Sequence, residues 1–319
     1  MIKKTWGMIY LLTFIFSFAL GIFLTPFLSP SFAGIEQVNW DDSMGTIVKD
    51  IPYSRGALNK FDLYLPRDQH KATKLVVYIH AGGFTGGDKA DDEHIAKYFS
   101  SKGYVTATIN YSLRKENNNV NVLQMSEEIK QGISAIVLEA EQRGFNLDGM
   151  AVAGGSAGGT LAMIYAYRDA EQAPIPVKMV ISMVGPASFD PSKWFGLDNH
   201  YVSDETAIVG ANFVSIMTGE HVSAQMMRTG QFQHILKPIT PSALLTPQAP
   251  PTLVAYGALD KVAPFAASAA LIEALKTQGI IHDVIIFPNS GHALNRDRKV
   301  ANKLGDKIND YLETYMPIN

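Results

Sequence analysis

A serine flanked by small residues is the first chemical candidate in the chain. Gly-Gly-Ser-Ala-Gly at residues 154–158 matches the pattern G-x-S-x-G, between a predicted strand, Met150–Ala153, and a predicted helix that begins at Ala157. A serine at such a sharp turn is held in a strained conformation that exposes its hydroxyl, and the small neighbours prevent clashes between strand and helix. The pattern indicates a nucleophile at Ser156, the alternative being a glycine-rich turn without chemistry.

A nucleophilic serine needs a base, and the base needs a third group that orients it. Asp260 follows a predicted strand, Leu253–Tyr256, and His292 follows another, Val284–Phe287. Taken singly, the aspartate could be a turn residue and the histidine a surface loop residue. Their order after Ser156 is nevertheless the one found where the nucleophile occupies a strand-to-helix turn. We therefore predict that these three side chains meet at one edge of a parallel sheet.

A second glycine-rich loop offers main-chain donors. His-Ala-Gly-Gly-Phe-Thr-Gly-Gly-Asp-Lys occupies residues 80–89, directly after the predicted strand Leu75–Ile79. A glycine pair here lets backbone N–H groups face the serine, as an oxyanion hole requires. We expect the N–H groups of Gly82, Gly83 and Ala157 to form that hole. The alternative, a phosphate loop, lacks the Lys-Ser/Thr of a Walker sequence and the G-x-G-x-x-G of a dinucleotide site.

Short apolar runs alternate with longer segments of helical spacing, which predicts an α/β fold whose mainly parallel sheet is covered on both faces. Besides the strands given above, we predict strands at Tyr104–Ile109 and Met179–Val184, and an antiparallel edge at Thr46–Pro52 and Phe61–Leu65. The predicted helices are Asp91–Ser101, Val122–Arg143, Ala157–Arg168, Phe265–Gln278 and Asn295–Tyr315.

The alternation stops between about residues 188 and 245, and such a long interruption often covers a site. We therefore predict one domain, residues 34–319, with a cap insertion in that range. Aromatic and methionine side chains in the cap either line an acyl pocket or form the cap's own core, which we favour for most of them. They are Trp194, Phe195, Tyr201, Phe213, Met217, Met226, Met227 and Phe232.

The composition excludes several function classes. The 319 residues are 47% hydrophobic, which is too apolar for a disordered chain, and they include no cysteine, so disulfides, thiolate metal sites and cysteine nucleophiles are excluded. A net charge of −3 without basic runs argues against a nucleic-acid partner. No cofactor or metal is expected, because the carboxylates of Asp91, Asp92 and Glu93 beside His94 are more simply explained as solvated groups at a helix start.

The first 33 residues differ from the rest. Lys3 and Lys4 precede an uncharged stretch at 6–24, and Ser-Phe-Ala at 31–33 resembles a peptidase site. The stretch has the length of a bilayer-spanning helix, so a cleaved signal peptide and an uncleaved membrane anchor are both open. Either one predicts export, to the periplasm or the medium. N-terminal sequencing of the purified protein would separate them.

These motifs resemble the α/β-hydrolase superfamily, in particular the esterase/lipase branch with an H-G-G-G oxyanion motif. That branch includes hormone-sensitive-lipase-like carboxylesterases, feruloyl-esterase-like proteins and kynurenine formamidases. The resemblance extends to Phe-Asp-Leu-Tyr-Leu-Pro at 61–66, Val-Gly-Pro at 184–186 and Pro-Pro-Thr-Leu at 250–253. Gly-Gly-Asp-Lys at 86–89 and Gly155 are closer to the feruloyl-esterase-like and formamidase-like group. Two residues depart from the family pattern. Ala81 replaces the first glycine of the H-G-G-G motif, and Ser112 occupies a position where the family has an arginine.

The resemblance implies a carboxylesterase-type serine hydrolase with an eight-stranded sheet, which acts on a small-molecule ester through Ser156, Asp260 and His292. Two alternatives stay open. One is an amide-directed hydrolase, of formamidase or exopeptidase type, with the same residues. The other is a non-catalytic exported binding module that keeps only the fold. The oligomeric state is not indicated by any feature of the sequence.

Overall fold

The computed structural model describes residues 35, 37–197 and 201–318. Its centre is one eight-stranded sheet, in the spatial order β1-β2-β4-β3-β5-β6-β7-β8. The strands are β1 (Gly45–Pro52), β2 (Lys60–Pro66), β3 (Lys74–Ile79), β4 (Val105–Ile109), β5 (Gly149–Gly155), β6 (Val177–Met183), β7 (Thr252–Gly257) and β8 (His282–Phe287). The predicted α/β architecture is confirmed, including the two early strands at one edge.

Strand direction divides the sheet into two parts. β1 pairs with β2 and β2 with β4 in antiparallel fashion, whereas the pairings from β4 through β3, β5, β6 and β7 to β8 are all parallel. Parallel strands place their carboxyl ends at the same edge. Loops that follow β3, β5, β7 and β8 therefore begin along one line, which is where the candidate residues were expected.

Helices cover both faces of the sheet. The helices are α1 (Glu93–Ser101), α2 (Val122–Gln142), α3 (Ala157–Ile164), α4 (Pro191–Phe195), α5 (Asp204–Thr218), α6 (Ala224–Thr229), α7 (Phe232–Leu236), α8 (Pro241–Leu244), α9 (Ala266–Thr277) and α10 (Arg298–Tyr315). Alternate side chains of a strand face opposite sides. In β3, Val77 belongs to the core with α2, α3 and α9, and Val76 to the core with α1 and α10.

Three helix boundaries differ from the sequence prediction by more than one residue. The first predicted helix begins as a 3₁₀ turn, Lys89–Asp92, and becomes α1 only at Glu93. The helix after Ser156 ends at Ile164 and continues as a π turn, Tyr165–Asp169. The last helix begins at Arg298 rather than at residue 295, because the Asp297 side chain binds the preceding loop.

The chain between β6 and β7, which we call the helical insertion (residues 184–251), carries α4 to α8. Three of these helices, α4, α5 and α6, have side-chain caps: Asp190 accepts from Ser192 N at 2.9 Å, Ser203 from Thr206 N at 3.1 Å and Ser223 from Met226 N at 3.3 Å. The insertion thus forms five helices of 4 to 15 residues, where the sequence showed no clean period.

The predicted export segment, residues 1–33, lies outside the described residues. Within the described part of the chain, no helix combines the length and the apolar composition needed to cross a bilayer.

Candidate active site

Ser156 occupies the turn between β5 and α3, as the sequence predicts. Its backbone has φ 51° and ψ −119°, in the left-handed region that non-glycine residues rarely adopt. The turn is tight enough that a Cβ on Gly158 would collide with the carbonyl oxygen of Ile79, and one on Gly154 would collide with Gly158. The two glycines of the motif are therefore required by close contact between α3, β5 and β3.

Ser156, His292 and Asp260 come together at the carboxyl edge of the sheet. Ser156 Oγ lies 2.8 Å from His292 Nε2, and Asp260 Oδ2 lies 2.7 Å from His292 Nδ1. An ionised carboxylate only accepts hydrogen bonds, so Nδ1 carries the proton and Nε2 is free to accept the serine proton. This is the arrangement in which an imidazole can act as a base toward a serine.

Asp260 is itself held by main-chain donors. Its Oδ1 accepts from Val262 N at 2.8 Å and from Ala263 N at 3.0 Å, which leaves Oδ2 for the histidine. The Asp260 side chain is only 3% exposed, against 22% for His292. The acid is thus buried and fixed behind a histidine that solvent and substrate can reach.

The loop that carries His292 is held by a second aspartate, which the sequence reading missed. Asp297 accepts from Ser290 Oγ at 2.6 Å, from Asn289 N at 3.0 Å and from Asn289 Nδ2 at 2.8 Å. Burial would raise the pKa of Asp297, but these hydrogen bonds outweigh it and the pKa is lowered. A charged Asp297 therefore fixes the chain just before His292.

The loop after β3 has the backbone needed for an anion site. Gly82, Gly83 and Phe84 have φ values of 125°, 59° and 65°, three successive residues in the left-handed region. The N–H groups of Gly82, Gly83 and Ala157 donate to no acceptor among the residues that the structure describes. Free main-chain donors at such a turn can bind a negatively charged oxygen.

Two sequence motifs of the resemblance meet in a buried ion pair, Lys89 with Asp62, which the exposed Asp50 extends to the surface. Lys89 Nζ lies 2.7 Å from Asp62 Oδ1 and 3.0 Å from Asp50 Oδ1. Burial lowers the pKa of Lys89, but the bonds to the two carboxylates outweigh burial and raise it. The cluster ties the end of the glycine loop to the antiparallel edge of the sheet.

The acidic group after the loop is not uniformly solvated. Asp92 is half-buried, and burial, followed by the charge of Asp91, raises its pKa well above the usual range, so this carboxylate is less solvated than expected. Glu93 bonds to Lys49 and Lys97, and both lower its pKa. Within the described ranges, no cluster of three or more metal-binding side chains occurs.

Aromatic side chains join the helical insertion to the glycine loop. The Phe84 ring lies 5.9 Å from that of Phe189, which stacks on Trp194 at 6.1 Å. The cap residues named from the sequence belong to a hydrophobic core that also includes side chains of the sheet: Tyr201, Phe213, Met227 and Phe232 are buried in it, and Trp194, Phe195, Met217 and Met226 are partly buried against it. This packing agrees with the core interpretation for most of them.

Comparison with known proteins identifies the family and the fold of this chain. The profile of the BD-FAE family matches residues 61–275. Esterase B from Lactobacillus rhamnosis, solved with an inhibitor, superposes with a TM-score of 0.66 at 18% identity over 94% of this chain and 96% of its own. The fold is that of the α/β-hydrolases, and the family match and these neighbours fit the esterase/lipase branch, which confirms the resemblance seen in the sequence.

Within that class, the chain belongs to the BD-FAE family. A probable isoprenylcysteine alpha-carbonyl methylesterase from Oryza sativa is 23% identical over 77% of this chain and 58% of its own length. A kynurenine formamidase from Danio rerio is 24% identical over 43% of this chain and 44% of its own. The chain thus spans about half the length of the curated relatives it matches.

Proposed function

We propose that this chain hydrolyses carboxylic esters of small molecules through an acyl-enzyme on Ser156. The observation that carries the proposal is the continuous hydrogen-bond path from Ser156 Oγ through His292 to Asp260, with both distances below 3 Å. A serine, a base and a buried acid in this arrangement form a nucleophile activated by proton transfer. The methylesterase relative supports an ester as substrate.

In this mechanism Ser156 Oγ bonds to the ester carbonyl carbon while its proton passes to His292 Nε2. Asp260 stabilises the imidazolium that forms and keeps the ring in its orientation. The imidazolium then gives the proton to the departing alkoxide, which leaves as the alcohol. Water attacks the acyl-serine with His292 again as base, and the carboxylic acid leaves with Ser156 restored.

The carbonyl oxygen becomes negative in both tetrahedral intermediates. We assign its stabilisation to the N–H groups of Gly82, Gly83 and Ala157, which are free of protein acceptors in the described part of the chain. Loss of one such donor typically costs about 3 kcal/mol of transition-state stabilisation. Phe84 follows these donors directly and packs on Phe189, so we propose that the helical insertion caps the site and that the acyl group is short or medium in length.

The proposal is tested with purified protein, 4-nitrophenyl esters of increasing acyl length and a fluorophosphonate probe. The wild type should hydrolyse the shorter esters and bind the probe covalently, and Ser156→Ala should lose both. Ser134→Ala, on the solvent-facing side of α2, is the matched control and should behave as the wild type. A wild type that neither hydrolyses esters nor binds the probe would favour the non-catalytic binding module.

The formamidase relative supports a second candidate, an amide-directed hydrolase with the same residues. The same tetrahedral intermediate and the same donors serve an amide, but the leaving nitrogen must receive the proton from His292. N-formylkynurenine and 4-nitrophenyl acetate should therefore be compared at equal enzyme concentration. A larger kcat/KM for the formamide would replace the ester proposal with the amide one.

A further inference from the structure

We propose that Tyr111 is a positioning residue of the oxyanion hole, which acts through His80 on the peptide unit that carries the Gly82 N–H. The inference rests on the function proposed above. It concerns a residue that lies in the segment after β4, not in the glycine loop itself.

A trans peptide unit is planar, so its carbonyl and its N–H point in opposite directions and turn together. The direction of each donor N–H is therefore determined by whatever binds the carbonyl oxygen of the preceding residue. For the Gly83 donor, that oxygen belongs to Gly82, and it accepts from Thr85 N at 3.1 Å and from Gly86 N at 2.9 Å. The loop's own main chain thus holds this donor.

The Ala157 donor is held in a similar way. The carbonyl oxygen of its peptide unit belongs to Ser156 and accepts from Thr160 N at 3.0 Å, the first hydrogen bond of α3. For both donors, regular main-chain bonding of the following turn or helix is sufficient.

The Gly82 donor is different, because a side chain holds its peptide unit. The carbonyl oxygen of Ala81 lies 2.6 Å from His80 Nδ1. A carbonyl only accepts, so Nδ1 carries the proton. Burial lowers the pKa of His80, which keeps the ring neutral with that single proton. The orientation of the His80 ring therefore determines the direction of the Gly82 N–H.

Tyr111 holds His80 through two contacts, one to its ring and one to its main chain. The two rings stack face to face, with centroids 4.3 Å apart and planes at 8°, and Tyr111 Oη donates to the main-chain oxygen of His80 at 3.0 Å. Tyr111 is completely buried, and so is nearly all of His80. A Cβ on Gly87 would collide with the Ala81 oxygen and crowd His80 Nδ1, so the loop also closes tightly on that side.

The test compares two tyrosines that each donate from a buried hydroxyl to a main-chain oxygen. Tyr111→Phe keeps the stack and removes the bond to His80. Tyr104→Phe removes a bond of the same kind to Met316 O, 3.0 Å long and at the end of α10. Each variant is measured for kcat and KM on 4-nitrophenyl butyrate and for inhibition by butylboronic acid, whose serine adduct places an oxygen in the hole.

Both variants should lose a similar amount of thermal stability, because each loses one buried hydrogen bond. Only Tyr111→Phe should lower kcat, by about ten-fold with KM changed less than about two-fold, since misalignment weakens a donor that acts in the transition state. Its affinity for butylboronic acid should fall by the same factor. Equal kcat and boronate affinity in the two variants would overturn the proposal, as would a loss of kcat without a loss of boronate affinity.

A second pair of variants tests the role of His80, which connects Tyr111 to the peptide unit that carries the Gly82 N–H. His80→Asn places an amide N–H near the position of Nδ1, whereas His80→Gln moves it one bond further out. We expect His80→Asn to retain several-fold more kcat than His80→Gln, and equal loss in both would contradict the role given to the Ala81 carbonyl.

Amide hydrogen exchange separates this inference from the proposed function. Exchange of residues 80–87 should be faster in Tyr111→Phe than in the wild type and unchanged in Tyr104→Phe, whether or not the protein hydrolyses esters. An inactive wild type with that exchange pattern would refute the ester proposal but support the positioning role of Tyr111. Exchange in Tyr111→Phe that equals exchange in the wild type would refute that role.

Discussion

The carboxyl edge of the sheet and the helical insertion are held together by different means. At the edge, main-chain atoms approach each other so closely that Gly158 and Gly257 have no room for a Cβ. In the insertion, side chains make the contacts, and the glycine at Gly230 has open space around it. Capped helices there pack through rings, as with the edge-to-face pair of Phe195 and Phe213 at 5.1 Å.

The two kinds of contact suit two tasks, the placement of reacting atoms and the enclosure of a substrate. Atoms that react must be placed within tenths of an ångström, and short hydrogen bonds between backbone and buried groups achieve that. A wall that surrounds a substrate needs only volume and apolar surface, which packed aromatic rings provide. Substitutions in the two regions should therefore differ in kind as well as in size.

The largest contrast is expected between two glycine substitutions. Gly158→Ala forces a Cβ against the Ile79 carbonyl oxygen, so we expect no soluble, active protein. Gly230→Ala, at φ 75° in the insertion, meets no atom within 4 Å and should cost only about 1 kcal/mol of strain. Yield, thermal unfolding and esterase rate measure both. A folded, active Gly158→Ala would show that α3 can move away from β3.

The next contrast concerns two aspartates whose carboxylates accept hydrogen bonds from neighbouring groups. Asp260→Asn should lower kcat by about 10⁴-fold, because the amide no longer holds the right imidazole tautomer. In the insertion, Asp190 accepts from Ser192 N at 2.9 Å and from Tyr201 Oη at 3.0 Å, and Asp190→Asn should lower stability with little change in kcat. Steady-state kinetics on one ester decide the matter, and comparable kcat values for the two variants would contradict the role of Asp260.

Within the insertion, Phe213→Ala should have the largest effect. Its ring contacts Trp194 at 5.5 Å and Phe195 at 5.1 Å, and removal of a buried phenylalanine ring costs about 3–5 kcal/mol of unfolding free energy. We expect KM to rise for the longer 4-nitrophenyl esters more than kcat falls. Phe213→Leu, which keeps much of the volume, is the control. A pure loss of kcat would place Phe213 closer to the reacting atoms than the comparison implies.

The smallest expected effect is a change in pH dependence. The pKa of His80 is lowered by burial in the folded chain, whereas an unfolded histidine titrates near 6.5. As pH falls below that value, the unfolded chain takes up a proton that the folded chain does not, so the unfolding free energy decreases, with a limiting slope of about 1.4 kcal/mol per pH unit. His80→Asn should remove this component.

Denaturant unfolding between pH 7.5 and 5 measures the contribution of His80 to the pH dependence of the unfolding free energy. His70→Asn, at an exposed position, is the control. An identical pH dependence in the wild type and His80→Asn would show that the folded chain protonates His80.

The sequence alone was sufficient to predict the features that depend on strand direction and on residue size. Ser156 was recognisable because only small residues fit around it, and its meeting with Asp260 and His292 followed from the parallel strands that end before them. The antiparallel edge followed from two strands separated by a short turn. In each instance, local spacing carries the information.

The features of the fold and the site that could not be predicted depend on contacts between residues far apart in the sequence. Tyr111 and His80 lie 31 positions apart and meet only because β4 pairs with β3. The pairing of Lys89 with Asp62 needs β2 to lie antiparallel beside β4. In the insertion, α4 and α7 have five residues each, too few to show a helical period, so α4 to α8 were anticipated only as an irregular segment.

The donors assigned to the hole are all main-chain N–H groups, and every amino acid except proline supplies one. Substitution at Gly82, Gly83 or Ala157 thus cannot delete a donor in the way that loss of an asparagine or tyrosine side chain would. A mutant library aimed at the strength of oxyanion binding should accordingly sample the residues behind the loop, such as Tyr111 and His80. We expect saturation mutagenesis at Gly82, Gly83 and Ala157 to yield mainly misfolded protein.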